Sequence, residues 1–138
     1  IYNSINEEGK KIGIHFQFDK IKRTPNTFPS HKLLALGYKK GKQNQIMESL
    51  FYSYFIEGKD IGQLEELIAI ATHNNLDEKE TNLYLASDQY KANLFAEEIQ
   101  ARKMGIKAVP CFIIDKKYVL FGAQEKDKFI DLIDKIIK

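Results

Sequence analysis

Few side chains in this sequence can do covalent chemistry, and Cys111 stands out among them as the one cysteine in 138 residues. A thiolate is a nucleophile, and two thiols together can exchange a disulfide. A single one forms a mixed disulfide but no intrachain bridge, and no Cys-x-x-Cys pair exists in the sequence. The alternative for Cys111 is a small hydrophobe at the start of a strand, since free cysteine is among the most buried residue types. Of the three histidines, His31 follows a serine that can open a helix, and its imidazole can donate or accept near neutral pH. A solvent-facing or helix-packing histidine is the competing reading. His15 falls on the outward side of an alternating segment and His73 at a helix end, and neither takes a functional role. With no Cys/His cluster there is nothing to hold zinc or another transition metal, so no metal site is expected.

The composition bounds the rest. At 43% hydrophobic and 29% charged, the chain suits one globular domain, long enough to bury a core without disulfides. A net charge of +2, with 21 basic residues spread among 19 acidic ones, argues against nucleic acid as a partner. No apolar run approaches the roughly 20 residues that a membrane span needs. The opening residues lack a basic segment followed by an apolar one, so no export signal is visible, and they read as the middle of a protein.

The elements that must position these residues follow from periodicity. Ile12, Ile14, Phe16 and Phe18 alternate with Gly13, His15 and Gln17, which predicts a strand. Residues 20–29, with Pro25, Asn26 and Pro29, read as a loop. Ser30 is the expected cap of a helix that stops near Gly41. Ile46, Met47, Leu50, Phe51, Tyr54 and Phe55 mark the next helix, ending before Gly58, with Phe51, Tyr54 and Phe55 expected in the core. Leu64, Leu67, Ile68 and Ala71 predict another before Asn74-Asn75. Asp77 and Glu80 form a capping-box pattern, and Ser87 is read as capping a longer helix that ends at Met104-Gly105. Glu78-Lys79-Glu80 reads as a solvated face. Phe112-Ile113-Ile114 and Tyr118-Val119-Leu120-Phe121 then predict a hairpin, and Phe129, Ile130, Ile133, Ile136 and Ile137 a final amphipathic helix. Three strands with an open edge bury little, so a further strand is expected that the sequence does not contain.

The run Met104-Gly105-Ile106-Lys107-Ala108-Val109-Pro110-Cys111-Phe112-Ile113-Ile114-Asp115, with Tyr118 and Gly122-Ala123-Gln124, resembles the C-terminal half of DsbA-like thioredoxin-fold proteins, closest to the FrnE-type oxidoreductases. Phe16-Gln17-Phe18-Asp19, Asn26-Thr27-Phe28, Ser30-His31-Lys32-Leu33, the segment Leu50 to Ile61 and Leu85-Ala86-Ser87-Asp88 are similar to the same branch in the same order. The resemblance implies an α/β thioredoxin-like sheet with an inserted helical subdomain at about residues 30–105, in a single, partial domain over 1–138. It also implies that a strand and an active-site helix carrying Cys-x-x-Cys lie upstream, roughly 30 to 40 residues in all. Residues 1–11 would then be the end of that helix, and the chain by itself would be inactive.

By the same resemblance Pro110 is a cis proline that orients substrate, and the backbone of Val109 pairs with an extended peptide like an added strand. Cys111 stands where relatives more usually carry another uncharged residue, and would be a third thiol beside the catalytic pair. Asn26 and His31 fall in a segment that comes near the thioredoxin face and could contact substrate. The implied activity is thiol–disulfide exchange on protein or small-molecule disulfides, in the cytoplasm and without a resident cofactor. Two alternatives stay open. One is a glutathione-dependent isomerase or transferase of the 2-hydroxychromene-2-carboxylate isomerase or kappa type, with glutathione as the thiol. The other is a non-catalytic binding module. An open sheet edge would favour a homodimer made by strand addition or swapping.

Overall fold

The computed structural model describes residues 2–88 and 90–137; Ile1, with which the sequence reading begins its first helix, lies outside them. The chain divides into two compact units, residues 1–92 and 93–138. Helices α1 (Tyr2–Lys11), α2 (Phe28–Lys39), α3 (Gln43–Phe55), α4 (Leu64–His73) and α5 (Glu78–Ala86) belong to the first, together with a 3₁₀ turn at Phe18–Lys20. Helix α6 (Lys91–Lys103) begins at the end of the first unit, and strands β1 (Cys111–Ile114) and β2 (Tyr118–Phe121) and helix α7 (Lys126–Ile137) follow in the second.

One stop device recurs. Gly13, Gly41, Asn75 and Gly105 all have positive φ, each just past a helix. The next amide in each case reaches five residues back: Ile14 to the Gly9 carbonyl, Lys42 to Gly37, Leu76 to Ala71 and Ile106 to Ala101, at 2.7–3.1 Å. This left-handed closure satisfies carbonyls that the helix leaves without donors. Helix α5 starts as its sequence suggests, with the Asp77 carboxylate accepting from the Glu80 amide at 2.7 Å. The Glu80 carboxylate pairs with Lys40, at the end of α2.

In the first unit α2 packs against α3, α4 and α5. Leu33, Leu36, Ile46, Leu50, Ile61, Leu67, Ile70, Ala71, Leu76 and Tyr84 form its core. Their three- and four-residue spacing on each helix makes the buried stripe that tertiary packing needs. Lys32 is also buried, and its ammonium donates to the Leu85 and Ser87 carbonyls at the end of α5.

Several expectations are corrected. No strand forms over residues 12–18. Ile12 and Gly13 are consumed in closing α1, and among the described residues no strand lies alongside 14–17 to build a ladder; the Gln17 amide bonds instead to the Phe55 carbonyl at 2.8 Å. The alternation still does its side-chain work, because Phe16 and Phe18 stack at 5.1 Å and both meet Phe55. Helix α2 starts at Phe28 with Pro29 in its first turn, where a missing N–H costs nothing. Ser30 therefore lies inside the helix, and its buried hydroxyl donates to the Ile61 carbonyl at 2.6 Å. Ser87 ends α5 and does not open α6: its amide and hydroxyl both donate back to that helix. The aromatic stripe only borders the core: Phe51 is exposed, Tyr54 packs half-buried against the core cluster and Phe55 is half-buried, while Ile46, Leu50 and Ser53 face inward.

The second unit is built differently. β1 and β2 pair antiparallel, with Cys111 opposite Phe121 and Ile114 opposite Tyr118. Asp115 and Lys116 make the turn with positive φ at both positions, the backbone twist that suits a tight hairpin. Phe112 meets Phe129 of α7 edge-to-face at 4.9 Å. Phe129, Leu132 and Ile136 form a half-buried stripe on α7, whereas Ile130, Ile133 and Ile137 are exposed. No described residue of this unit is fully buried.

Candidate functional site

Helix α6, closed at Gly105, delivers residues 106–110 to the start of β1. The Val109–Pro110 peptide bond is cis. Val109 is 87% exposed, and among the described residues its amide and carbonyl make no hydrogen bond. The Pro110 carbonyl, by contrast, accepts from the Gly122 amide at 2.8 Å. Gly122 has φ +76°, which turns the chain out of β2 so that its N–H can reach back across the hairpin. Gln124 completes the closure by donating from its side-chain amide to the Phe121 carbonyl at 2.7 Å. Gly122 and Gln124 thus fix the open end of the hairpin on which Pro110 and Cys111 sit. Sequence reasoning singled out these two residues without giving them that task.

Cys111 is a free, half-buried thiol on the sheet face opposite Phe112. Its side of the hairpin carries Ile113, Val119 and Phe121, all substantially exposed. This placement combines the two readings of Cys111: apolar neighbours on a strand, with the sulfur side chain still partly open to solvent.

Asn26 and His31 lie in the first unit, on the corner that begins α2. The Asn26 side-chain oxygen accepts from the Phe28 amide at 3.1 Å, and the Thr27 carbonyl takes the His31 amide at 3.0 Å. Both side chains are exposed. Two contacts hold the corner: the Ser30–Ile61 bond, and the approach of Gly62, where a Cβ would lie 2.7 Å from the Asn26 carbonyl oxygen. The structure therefore joins Val109, Pro110 and Cys111 on one loop and Asn26 with His31 on one corner, each group in its own unit.

Cavities line both units. A groove of about 540 Å³ between α3 and α4 is walled by Glu48, Tyr52, Glu57, Lys59, Glu66 and His73. Hydrogen bonds to Glu57 and then to Glu66 raise the pKa of Lys59 above the ordinary lysine value. An apolar groove of about 600 Å³ runs beside Ile14, Phe16, Phe51 and Phe55. A third, of about 630 Å³, is lined by Glu98, Arg102, Lys107 and Val109. Among the described residues no three His, Cys, Asp or Glu side chains converge as a metal site would require, and no helix is long and apolar enough to cross a membrane.

The helix-rich chain, with its hairpin entered through an exposed residue and a proline, defines a recognisable class. Residues 1–134 match the sequence profile of the DSBA-like thioredoxin domain family, and the chain belongs to that family. Its structure is similar to that of a probable DsbA oxidoreductase from Streptomyces coelicolor, with a TM-score of 0.84 and 23% identity. That likeness, which carries the fold, covers 96% of this chain and 57% of the other. The chain thus spans a little over half the length of its structural relative. No curated protein matches it.

Proposed function

We propose that this chain is the substrate-orienting portion of a FrnE-type thiol–disulfide oxidoreductase acting on protein or small-molecule disulfides in the cytoplasm. Exchange begins when a thiolate attacks one sulfur of a disulfide; a new S–S bond forms, the old one breaks, and the departing sulfur leaves as thiolate. Release of the product needs a second thiol, so with one cysteine among these residues the reacting pair is supplied from outside them. In this reading Val109 offers its backbone to an extended peptide, Pro110 shapes the loop and Cys111 is an auxiliary thiol, with Asn26 and His31 as substrate contacts.

The observation that carries the reading is the 87% exposed Val109, with both backbone groups unbonded among the described residues, directly before the proline and the thiol in a DSBA-like chain. Unpaired backbone at the entry to a strand is the feature that strand-addition recognition uses. The test is reduction of insulin disulfides by the whole natural polypeptide, using dithiothreitol as reductant, with acid trapping of mixed disulfides. Accelerated reduction and a trapped protein–peptide adduct are expected. Conjugation or isomerisation of a glutathione adduct without disulfide reduction would overturn the proposal.

A further inference from the structure

The groove beside Val109 has a charge pattern that general peptide binding leaves unexplained. Arg102, on α6, is neutralised by Glu98 at 2.6 Å. Lys107 is exposed and, among the described residues, makes no ion pair, so the groove keeps an uncompensated positive charge two residues before Val109. Ile106, Ala108 and Val109 give it an apolar floor. Two residues of chain span at most about 7 Å, and side chains two apart on an extended peptide share a face at about the same spacing, although residues 106–110 are not themselves a strand. A peptide paired with the backbone of Val109 would therefore carry a neighbouring side chain, two positions from the paired residue, to within reach of the Lys107 ammonium.

Resting on the oxidoreductase reading above, we propose that the reacting cysteine of an extended peptide pairs with the backbone of Val109 and that this groove selects peptides with an acidic side chain two positions from that cysteine. Lys107 is the specificity-determining residue. Arg102, held by Glu98, shapes the wall without adding net charge. The floor accepts the aliphatic stem of the acidic side chain, and the preference is one of charge, not of shape.

The experiment uses the whole natural polypeptide, reduced, and two peptides whose cysteine is joined to thionitrobenzoate. The peptides differ only in carrying Asp or Lys at both positions two residues from that cysteine. A protein thiolate bonds to the peptide sulfur, the mixed disulfide breaks and thionitrobenzoate departs as a coloured thiolate, so no outside oxidant or reductant enters. An exposed charge pair predicts a rate about fivefold higher for the Asp peptide at about 20 mM salt, falling below about twofold at about 0.5 M. Lys107→Glu should reverse the preference. Lys79→Glu, on α5, changes the net charge equally and should leave it intact. Exchange with both peptides at equal rates, or a preference that Lys79→Glu abolishes as well as Lys107→Glu does, would overturn the inference alone. Absence of exchange with either peptide would overturn the oxidoreductase reading and this inference with it.

Discussion

Replacing Ser30 with alanine tests whether the corner bearing Asn26 and His31 is held as described. Ser30 is 4% exposed, and its hydroxyl donates to the Ile61 carbonyl at 2.6 Å. Its removal loses a buried hydrogen bond and leaves that carbonyl without its donor, which together cost about 1–3 kcal/mol. With a urea dependence of roughly 1 kcal/mol per molar for a unit of this size, the midpoint of the helical transition should fall by roughly 1–3 M, with an unchanged slope. Far-ultraviolet circular dichroism follows it, since the helices dominate that signal. Gly62→Ala strikes the same joint from the other side. Its Cβ would meet the Asn26 carbonyl oxygen at 2.7 Å and the Asn26 nitrogen at 3.2 Å, and backbone would have to move, for about 1–3 kcal/mol. Because both changes loosen the same corner through adjoining contacts, the double variant should depart from additivity by at least about 0.5 kcal/mol. A Ser30→Ala cost below about 0.5 kcal/mol, or strict additivity, would refute this account of the corner.

Asp77→Ala removes the acceptor of the Glu80 amide and should cost about 1 kcal/mol, read from the same urea transition. Lys32→Met keeps much of the side-chain volume but deprives the Leu85 and Ser87 carbonyls of their donor, and should destabilise the first unit by about 1–3 kcal/mol. Lys59 should titrate above free lysine by NMR, and Glu57→Gln with Glu66→Gln should bring it back. Because folding raises its pKa, the stabilisation it contributes is fully present below the unfolded-state value and lost as pH rises through the folded-state one.

The parts legible in the sequence are those that a residue type decides locally. Gly41, Asn75 and Gly105 take left-handed backbone that most residues avoid, so the ends of α2, α4 and α6 could be read directly. The turn at Asp115-Lys116 and the Asp77 cap were legible for the same kind of reason. Ser30 was not, because a hydroxyl just ahead of an apolar run looks like a cap, while its acceptor lies 31 residues away. Gly13 was misleading in the same way: alternation in its neighbours suggested a strand, and the capping geometry of α1 outweighed it. Lys32 gave no sign of burial, since its partners are backbone carbonyls, which every residue possesses. As for the candidate site, composition singled out Cys111 as the one thiol, and its place beside a catalytic pair, like the roles of Val109 and Pro110, came through family resemblance.

The contrast in burial between the units shapes how this polypeptide comes apart. In the first, buried leucines and isoleucines of α2, α3 and α4, with Tyr84 of α5, lose their apolar surroundings together, so melting there is cooperative. In the second, no described side chain is fully enclosed, and the hairpin amides are shielded by little more than their own ladder. Deuterium should enter β1 and β2 through small local openings long before it reaches the inner amides of α2 and α4. The loop at Val109 and Pro110 therefore sits on the part of the chain whose order is most easily reinforced by whatever lies against it.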